Sequence, residues 1–356
     1  TSYNNIGITY GKLGDHEKAL EFEVKALAIF EKVLPPDHPD LATSYNNIGT
    51  TYVELGNHEK ALEFEVKALT IQEKVLPPDH PDLATSYNNI GVTYSKLRDY
   101  EKTLEFLLKA LAIQEKILTP DHPDLAAAYD SIEFTYRELE DYEKALEFKL
   151  KALAIQEKIL TPDHPDLTTS YNNIGVTYSK LEDHEKVLEF LLKALAIQEK
   201  ILTPDHPDLA SSYNRIGVAY SKLGDYEKEL EFVLKARAIR EKVLPPDHPD
   251  IASSYNNIGV TYGELGNYEK ALEFLLKSLA IREKILPPDH PHLATSYNNL
   301  GCVYYSLDNA DFSLKFHLEA LEVRKKVLSP NHPLLAISYE RAGNAYGKLG
   351  DSINEV

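Results

Sequence analysis

Methionine and tryptophan are absent from the 356 residues, and cysteine occurs once, at Cys302. A single cysteine excludes an internal disulfide framework, and its place in a helical pattern points to a small buried apolar role rather than a reactive thiol. A reducing, cytoplasmic (intracellular) setting fits best. Basic residues are in deficit: 38 Lys+Arg against 56 Asp+Glu leave a formal charge of -18. That balance argues against nucleic acid or an anionic membrane as partner. No stretch approaches the roughly 18 consecutive apolar residues of a membrane span, and no basic and apolar leader opens the chain. The chain also has no His-Glu-x-x-His pair and no glycine-rich phosphate loop, so catalysis is not expected and no cofactor is implied. Lacking methionine and starting inside a repeated unit, it reads as a fragment of a longer chain, whose targeting signals would lie elsewhere.

What is present is a repeat. Close copies of Tyr45-Asn46-Asn47-Ile48-Gly49-Thr50-Thr51-Tyr52 return throughout, their first tyrosine at Tyr3, Tyr45, Tyr87, Tyr129, Tyr171, Tyr213, Tyr255, Tyr297 and Tyr339, a period of 42 residues. A fixed period of this size implies a solenoid, in which each unit leaves an apolar face that only its neighbour buries. The expected repeats are 1–36, 37–78, 79–120, 121–162, 163–204, 205–246, 247–288 and 289–330, with a partial ninth at 331–356, all in one elongated domain.

In the second copy, Asp37-His38-Pro39-Asp40 opens helix A, with Pro39 at the first helical position and Asp37 or His38 as cap. Leu41, Tyr45, Ile48, Gly49, Tyr52 and Leu55 fall at spacings of three and four, the buried stripe of an α-helix. Gly56-Asn57 ends it in a left-handed turn. Helix B runs from about His58 to Leu76, apolar over a wide arc, with Glu59, Glu63, Lys67, Thr70 and Lys74 as a solvated strip. Pro77-Pro78 stops it.

Tyr45, Ile48, Gly49, Tyr52, Ala61 and Ala68 resemble the pattern of the tetratricopeptide repeat. The helix B aromatic, Phe64, comes one residue early, and helix B is extended before its proline. The longer helix B followed by Asp-His-Pro is similar to the 42-residue variety found in kinesin light chain. The resemblance implies an all-α, right-handed superhelical solenoid of antiparallel helix pairs, eight repeats plus the first helix of a ninth. It also implies that helix A lines a concave groove taking peptides.

On helix A a second stripe carries that expectation. Asn4, Asn46, Asn47, Asn88, Asn89, Asn172, Asn173, Asn214, Asn256, Asn257, Asn298 and Asn299 recur there although asparagine is a poor helix former. An amide offers a donor and an acceptor, which suits the backbone of an extended peptide. The same amides could instead bond one another and hold the stack together, and both readings stand. The first asparagine of each pair is expected to be the more ligand-facing. Val92, Val176, Val218 and Val260 would supply apolar groove surface or contact the adjoining helix A. Lys96, Lys180 and Lys222, with Arg215 in place of an asparagine, are candidates for acidic ligand side chains.

The fourth copy departs from the rest: Asp130-Ser131-Ile132-Glu133-Phe134 puts Glu133 where the others have glycine. A buried carboxylate demands relief. Arg137 is its expected partner, with a local widening of the stack. His38, His80, His122, His164, His206, His248, His290 and His332 tempt a metal reading, but one imidazole and one carboxylate per loop do not make the compact ligand set zinc needs. They are read as caps, and no metal is expected. Two functions remain open: a scaffold binding a peptide or partner protein, or a spacer or self-associating sensor arm of a larger signalling protein, with end-to-end or homo-dimeric contacts.

Overall fold

The computed structural model describes residues 2–354, which contain seventeen α-helices and no strand. The A helices are α1 (Ser2–Lys12), α3 (Pro39–Glu54), α5 (Pro81–Lys96), α7 (Pro123–Glu138), α9 (Pro165–Lys180), α11 (Pro207–Lys222), α13 (Pro249–Glu264), α15 (Pro291–Ser306) and α17 (Pro333–Asn354). The B helices are α2 (His16–Val33), α4 (His58–Val75), α6 (Tyr100–Ile117), α8 (Tyr142–Ile159), α10 (His184–Ile201), α12 (Tyr226–Val243), α14 (Tyr268–Ile285) and α16 (Ala310–Val327). The chain packs into two compact units, 1–182 and 183–356. Within each, a B helix packs against its own A helix and the A helix that follows, α10 being the first helix of the second unit and packing against α11.

At the start of helix A the cap is histidine, not the aspartate before it. His38 Nδ1 accepts the Asp40 amide at 3.1 Å, and His80, His122, His164, His206, His248, His290 and His332 cap their helices alike. Among the described residues no group of three or more His, Cys, Asp or Glu side chains is placed to hold a metal ion. The A-to-B turn places Gly56 at φ +74°, where glycine costs nothing. Arg98, Glu140, Glu182 and Asp308 occupy this left-handed position without being glycine. Glu140→Gly is therefore expected to stabilise the fold by about 1 kcal/mol, seen as a higher urea midpoint; an unchanged midpoint would show that the turn carries no strain.

The core repeats with the sequence. Ile48, Ile90, Ile132, Ile174, Ile216 and Ile258 are fully buried. Phe64 is held between Tyr45 and Tyr52, with ring centroids 6.1 and 5.7 Å away. A Cβ on Gly49 would sit 2.8 Å from Glu65 Cγ and 3.3 Å from the Ala61 carbonyl, so glycine is what lets the two helices approach. Successive repeats are latched by the tyrosine that opens each motif. Tyr45 donates to Glu31, Tyr87 to Glu73, Tyr129 to Glu115, Tyr171 to Glu157, Tyr213 to Glu199, Tyr255 to Glu241 and Tyr297 to Glu283, all at 2.7–3.0 Å. Burial, and then the bonded carboxylate, pushes the Tyr45 phenol up to about 12.

In the fourth repeat Glu133 is buried, and Arg137 Nη1 stands 3.7 Å from its Oε1, the partner expected but beyond hydrogen-bond reach. Lys149 replaces the leucine found at Leu107, and its ammonium donates to Asp130 at 2.6 Å. Gln156 reaches the other Asp130 oxygen at 3.2 Å. Within the fourth repeat the aromatic sandwich is unaltered: Phe148 lies 6.0 and 5.6 Å from Tyr129 and Tyr136, matching the second repeat.

Candidate functional site

Depressions recur where two successive A helices meet over the B helix beneath them. In the first unit one of about 310 Å³ lies between α1 and α3, lined by Ile8, Lys12, Asn47, Thr50 and Glu54 over Glu23. Another of about 360 Å³ between α5 and α7 is lined by Val92, Lys96, Asp130 and Phe134 over Leu107. In the second unit a cavity of about 450 Å³ between α13 and α15 is lined by Val260, Glu264, Asn298, Asn299, Cys302 and Arg341 over Leu275. The three use the same register positions, so their floor is set by the fold and their rim by residues that vary.

These depressions gather six of the sequence candidates: Asn47, Val92, Lys96, Val260, Asn298 and Asn299. Val176 and Val218 are exposed on the same register, whereas Val260 is half-buried. Lys96, Lys180 and Lys222 are exposed and make no ion pair among the described residues. Arg215 is half-buried without a hydrogen bond or ion pair among those residues, and burial pulls its guanidinium below the usual range.

The amides divide into two groups. Some bond laterally: Asn47 donates to Asn4 at 3.4 Å, Asn257 to Asn214 at 3.1 Å and Asn299 to Asn256 at 3.1 Å. Asn46 donates to Ser86 at 3.2 Å, and Ser86 to Gln72 at 2.6 Å. Over the last three A helices the ladder is continuous. Asn298 donates to Asn299 at 3.4 Å, and Arg341 donates to Asn298 at 2.6 Å. Arg282 closes it by donating to Asn256 at 3.5 Å. By contrast Asn88, Asn89, Asn172 and Asn173, in the repeats flanking the altered fourth one, make no side-chain hydrogen bond among the described residues.

One expectation needs correction. The first asparagine of the pair is not always the more open, since Asn256 and Asn298 are buried while Asn257 and Asn299 stay partly exposed. Arginines reaching in from Arg282 and Arg341 draw the first amide inward.

A second network went unread in the sequence. Near the end of helix B, Gln72, Gln156 and Gln198 accept from Ser86, Ser170 and Ser212 of the next repeat at 2.6 Å. Further along, Arg240, Arg282 and Arg324 take that place and donate to Ser254, Ser296 and Ser338 at 2.6–2.8 Å. The signal was the change from glutamine to arginine at a fixed register. His317, buried beneath Gly301, is held down to about 4 by burial and then by Arg341 and Arg324. Burial pushes the Cys302 thiol up, away from reactivity.

The sequence profile of the tetratricopeptide repeat family matches residues 1–74, 66–116, 82–158, 134–200, 169–242, 230–284, 250–311 and 292–352. No curated protein sequence matches significantly. Among solved structures, nearly identical kinesin light chain TPR-like repeats from Podosopora anserina are 27% identical with TM-score 0.49, covering 58% of this chain and 97% of that one. BtubC (BKLC) from P. vanneervenii is 21% identical with TM-score 0.48, covering 63% and 89%. The apo form of RapI is 15% identical with TM-score 0.58, covering 98% of each chain.

Proposed function

This chain belongs to the tetratricopeptide repeat family, and from that premise we propose that it is a non-enzymatic scaffold that binds an extended peptide or partner-protein segment along the face of its A helices. The family is one of protein-interaction scaffolds and is generally without catalytic activity. Among the described residues no helix is long and apolar enough to cross a membrane. The observation that carries the proposal is the set of amides left without internal partners. Asn88, Asn89, Asn172 and Asn173 stand beside exposed Val92 and Val176 and unpaired Lys96 and Lys180. An amide offers a peptide backbone what its own N–H and C=O require, and the valines give side chains an apolar seat.

Amides already bonded within the ladder would hold the scaffold instead of the ligand, so the two roles of the asparagine stripe are assigned to different repeats. Asn88→Ala with Asn172→Ala is expected to weaken binding of a peptide selected on the native chain at least tenfold, with the helical circular dichroism unchanged. Equal affinity by fluorescence anisotropy would remove the amides from recognition. Asn47→Ala serves as the contrast, acting on stability through its bond to Asn4.

A further inference from the structure

Beneath the depressions between α5 and α7 and between α13 and α15 lies a leucine, Leu107 or Leu275, but the same register beneath α1 and α3 holds a carboxylate, Glu23. Only 4% of Glu23 is exposed, and it lines the 310 Å³ cavity. Its Oε2 accepts the Thr51 hydroxyl at 2.8 Å, whereas Oε1 makes no hydrogen bond among the described residues. Burial raises the Glu23 pKa, Thr51 only partly opposing it, so the carboxylate occupies a place that lacks a cation. The groups around it accept hydrogen bonds and have few left to give. Thr51 spends its hydroxyl hydrogen on Glu23, and Thr50 gives its own to the Asn46 carbonyl at 3.0 Å. Asn47 donates to Asn4 at 3.4 Å, which leaves its side-chain carbonyl without a partner among the described residues. Three acceptors, Glu23 Oε1, Thr50 Oγ1 and Asn47 Oδ1, therefore belong to the lining of one cavity.

We infer that this cavity holds the ammonium group of a lysine side chain carried by the partner, with Glu23 as its counter-ion. An ammonium brings three donors and no acceptor, the complement of this lining. With Thr51 already on one oxygen, Glu23 cannot offer the pair of oxygens that a guanidinium fork takes side by side, so the site favours a point charge over arginine. Ile8 and Gly11 seat the methylene stem. At the rim Glu54 attracts the ligand, whereas Lys12 repels it and limits affinity. The buried carboxylate has shed its water before any ligand arrives, so its desolvation is not part of the cost of binding. The arrangement is particular to this joint. Glu65 repeats the register of Glu23 on α4, but Val92 and Lys96 then stand where the first joint has Thr50 and Glu54.

The inference rests on the peptide-binding reading only for the source of the ammonium. It is tested by titrating N-acetyl-lysine methylamide and, separately, its arginine and norleucine counterparts into the isotope-labelled chain. The Glu23 carboxyl carbon and the Asn47 side-chain amide are followed by NMR. The lysine compound is expected to give saturable shifts at both groups with a millimolar midpoint. The arginine compound should bind about threefold more weakly or worse, and the norleucine compound, which keeps the stem without the charge, should give no shift. Glu23→Gln keeps the shape and the acceptor for Thr51, and should weaken the lysine compound about tenfold. Thr50→Val, which copies Val92, should weaken it about threefold without touching the buried carboxylate. Lys12→Gln should tighten it about threefold by removing a repelling charge. No saturable shift with the lysine compound, equal binding of the norleucine compound, or an unchanged midpoint in Glu23→Gln would overturn the site. Equal binding of the arginine compound would overturn its assignment to an ammonium. Such a failure leaves the roles of Asn88 and Asn172 standing, and loss of those roles would leave this titration unchanged.

Discussion

Lys149→Leu is expected to destabilise the first unit by about 2 kcal/mol, because it leaves the Asp130 carboxylate facing buried Glu133 with no cation to hold it. The figure is below that of a fully enclosed pair, since Asp130 keeps about a third of its side chain in solvent. Changing all three residues at once reverses the sign. Asp130→Asn, Glu133→Gly and Lys149→Leu together give the fourth repeat the residues of the third, Asn88, Gly91 and Leu107, and should raise stability by about 2 kcal/mol. Charges removed as a set take their desolvation cost with them, and Arg137, which loses Glu133, keeps its place over the Phe134 ring. Urea unfolding of both variants decides the matter. If the single change is silent, Lys149 is not holding Asp130.

The second large effect concerns Glu65, buried beneath Gly49 with one carboxylate oxygen unpaired. Burial raises its pKa, the Thr93 hydroxyl only partly opposing it. A raised carboxyl pKa means that the folded state binds the proton more tightly than the unfolded chain. The stability tied to that proton is fully present below the ordinary glutamate range and is lost as pH rises through the folded pKa. Glu65→Leu, the residue at Leu107 and Leu275, is therefore expected to stabilise the protein at pH 7 by about 2 kcal/mol. The gain should shrink as pH falls toward the ordinary glutamate range. A gain that stays constant from pH 7 to pH 4 would show that the folded protein binds the Glu65 proton no more tightly than the unfolded chain does.

The helices were legible because period and punctuation agree. Tyr45, Ile48 and Tyr52 mark the buried stripe, Pro39 the start and Gly56 the stop, and each has one physical reading in a helix. The division of the asparagines was not legible. Asn46 and Asn88 sit in nearly the same local sequence, and what separates them lies in other repeats: Asn46 finds Ser86, whereas the corresponding step from Asn88 meets Ala128. The Gln-to-Arg exchange on helix B was likewise hidden, because a helix B residue is read locally as part of an amphipathic face while its partner lies 14 residues away on the next helix. Long-range hydrogen bonding thus decided which amides were already occupied, and local pattern carries no record of it.

The tyrosine–glutamate latches bear on how such a chain grows. Each joint needs only a glutamate near the end of one helix B and the tyrosine 14 residues later, and the first seven units supply that glutamate, whereas the eighth has Lys325 in its place. Duplicating any 42-residue stretch of the first seven units, at whatever phase the cut falls, remakes the same joint at both new boundaries. Gene duplication can therefore add or drop whole units with every interface kept, while single positions such as Arg341 or Lys149 drift apart afterwards.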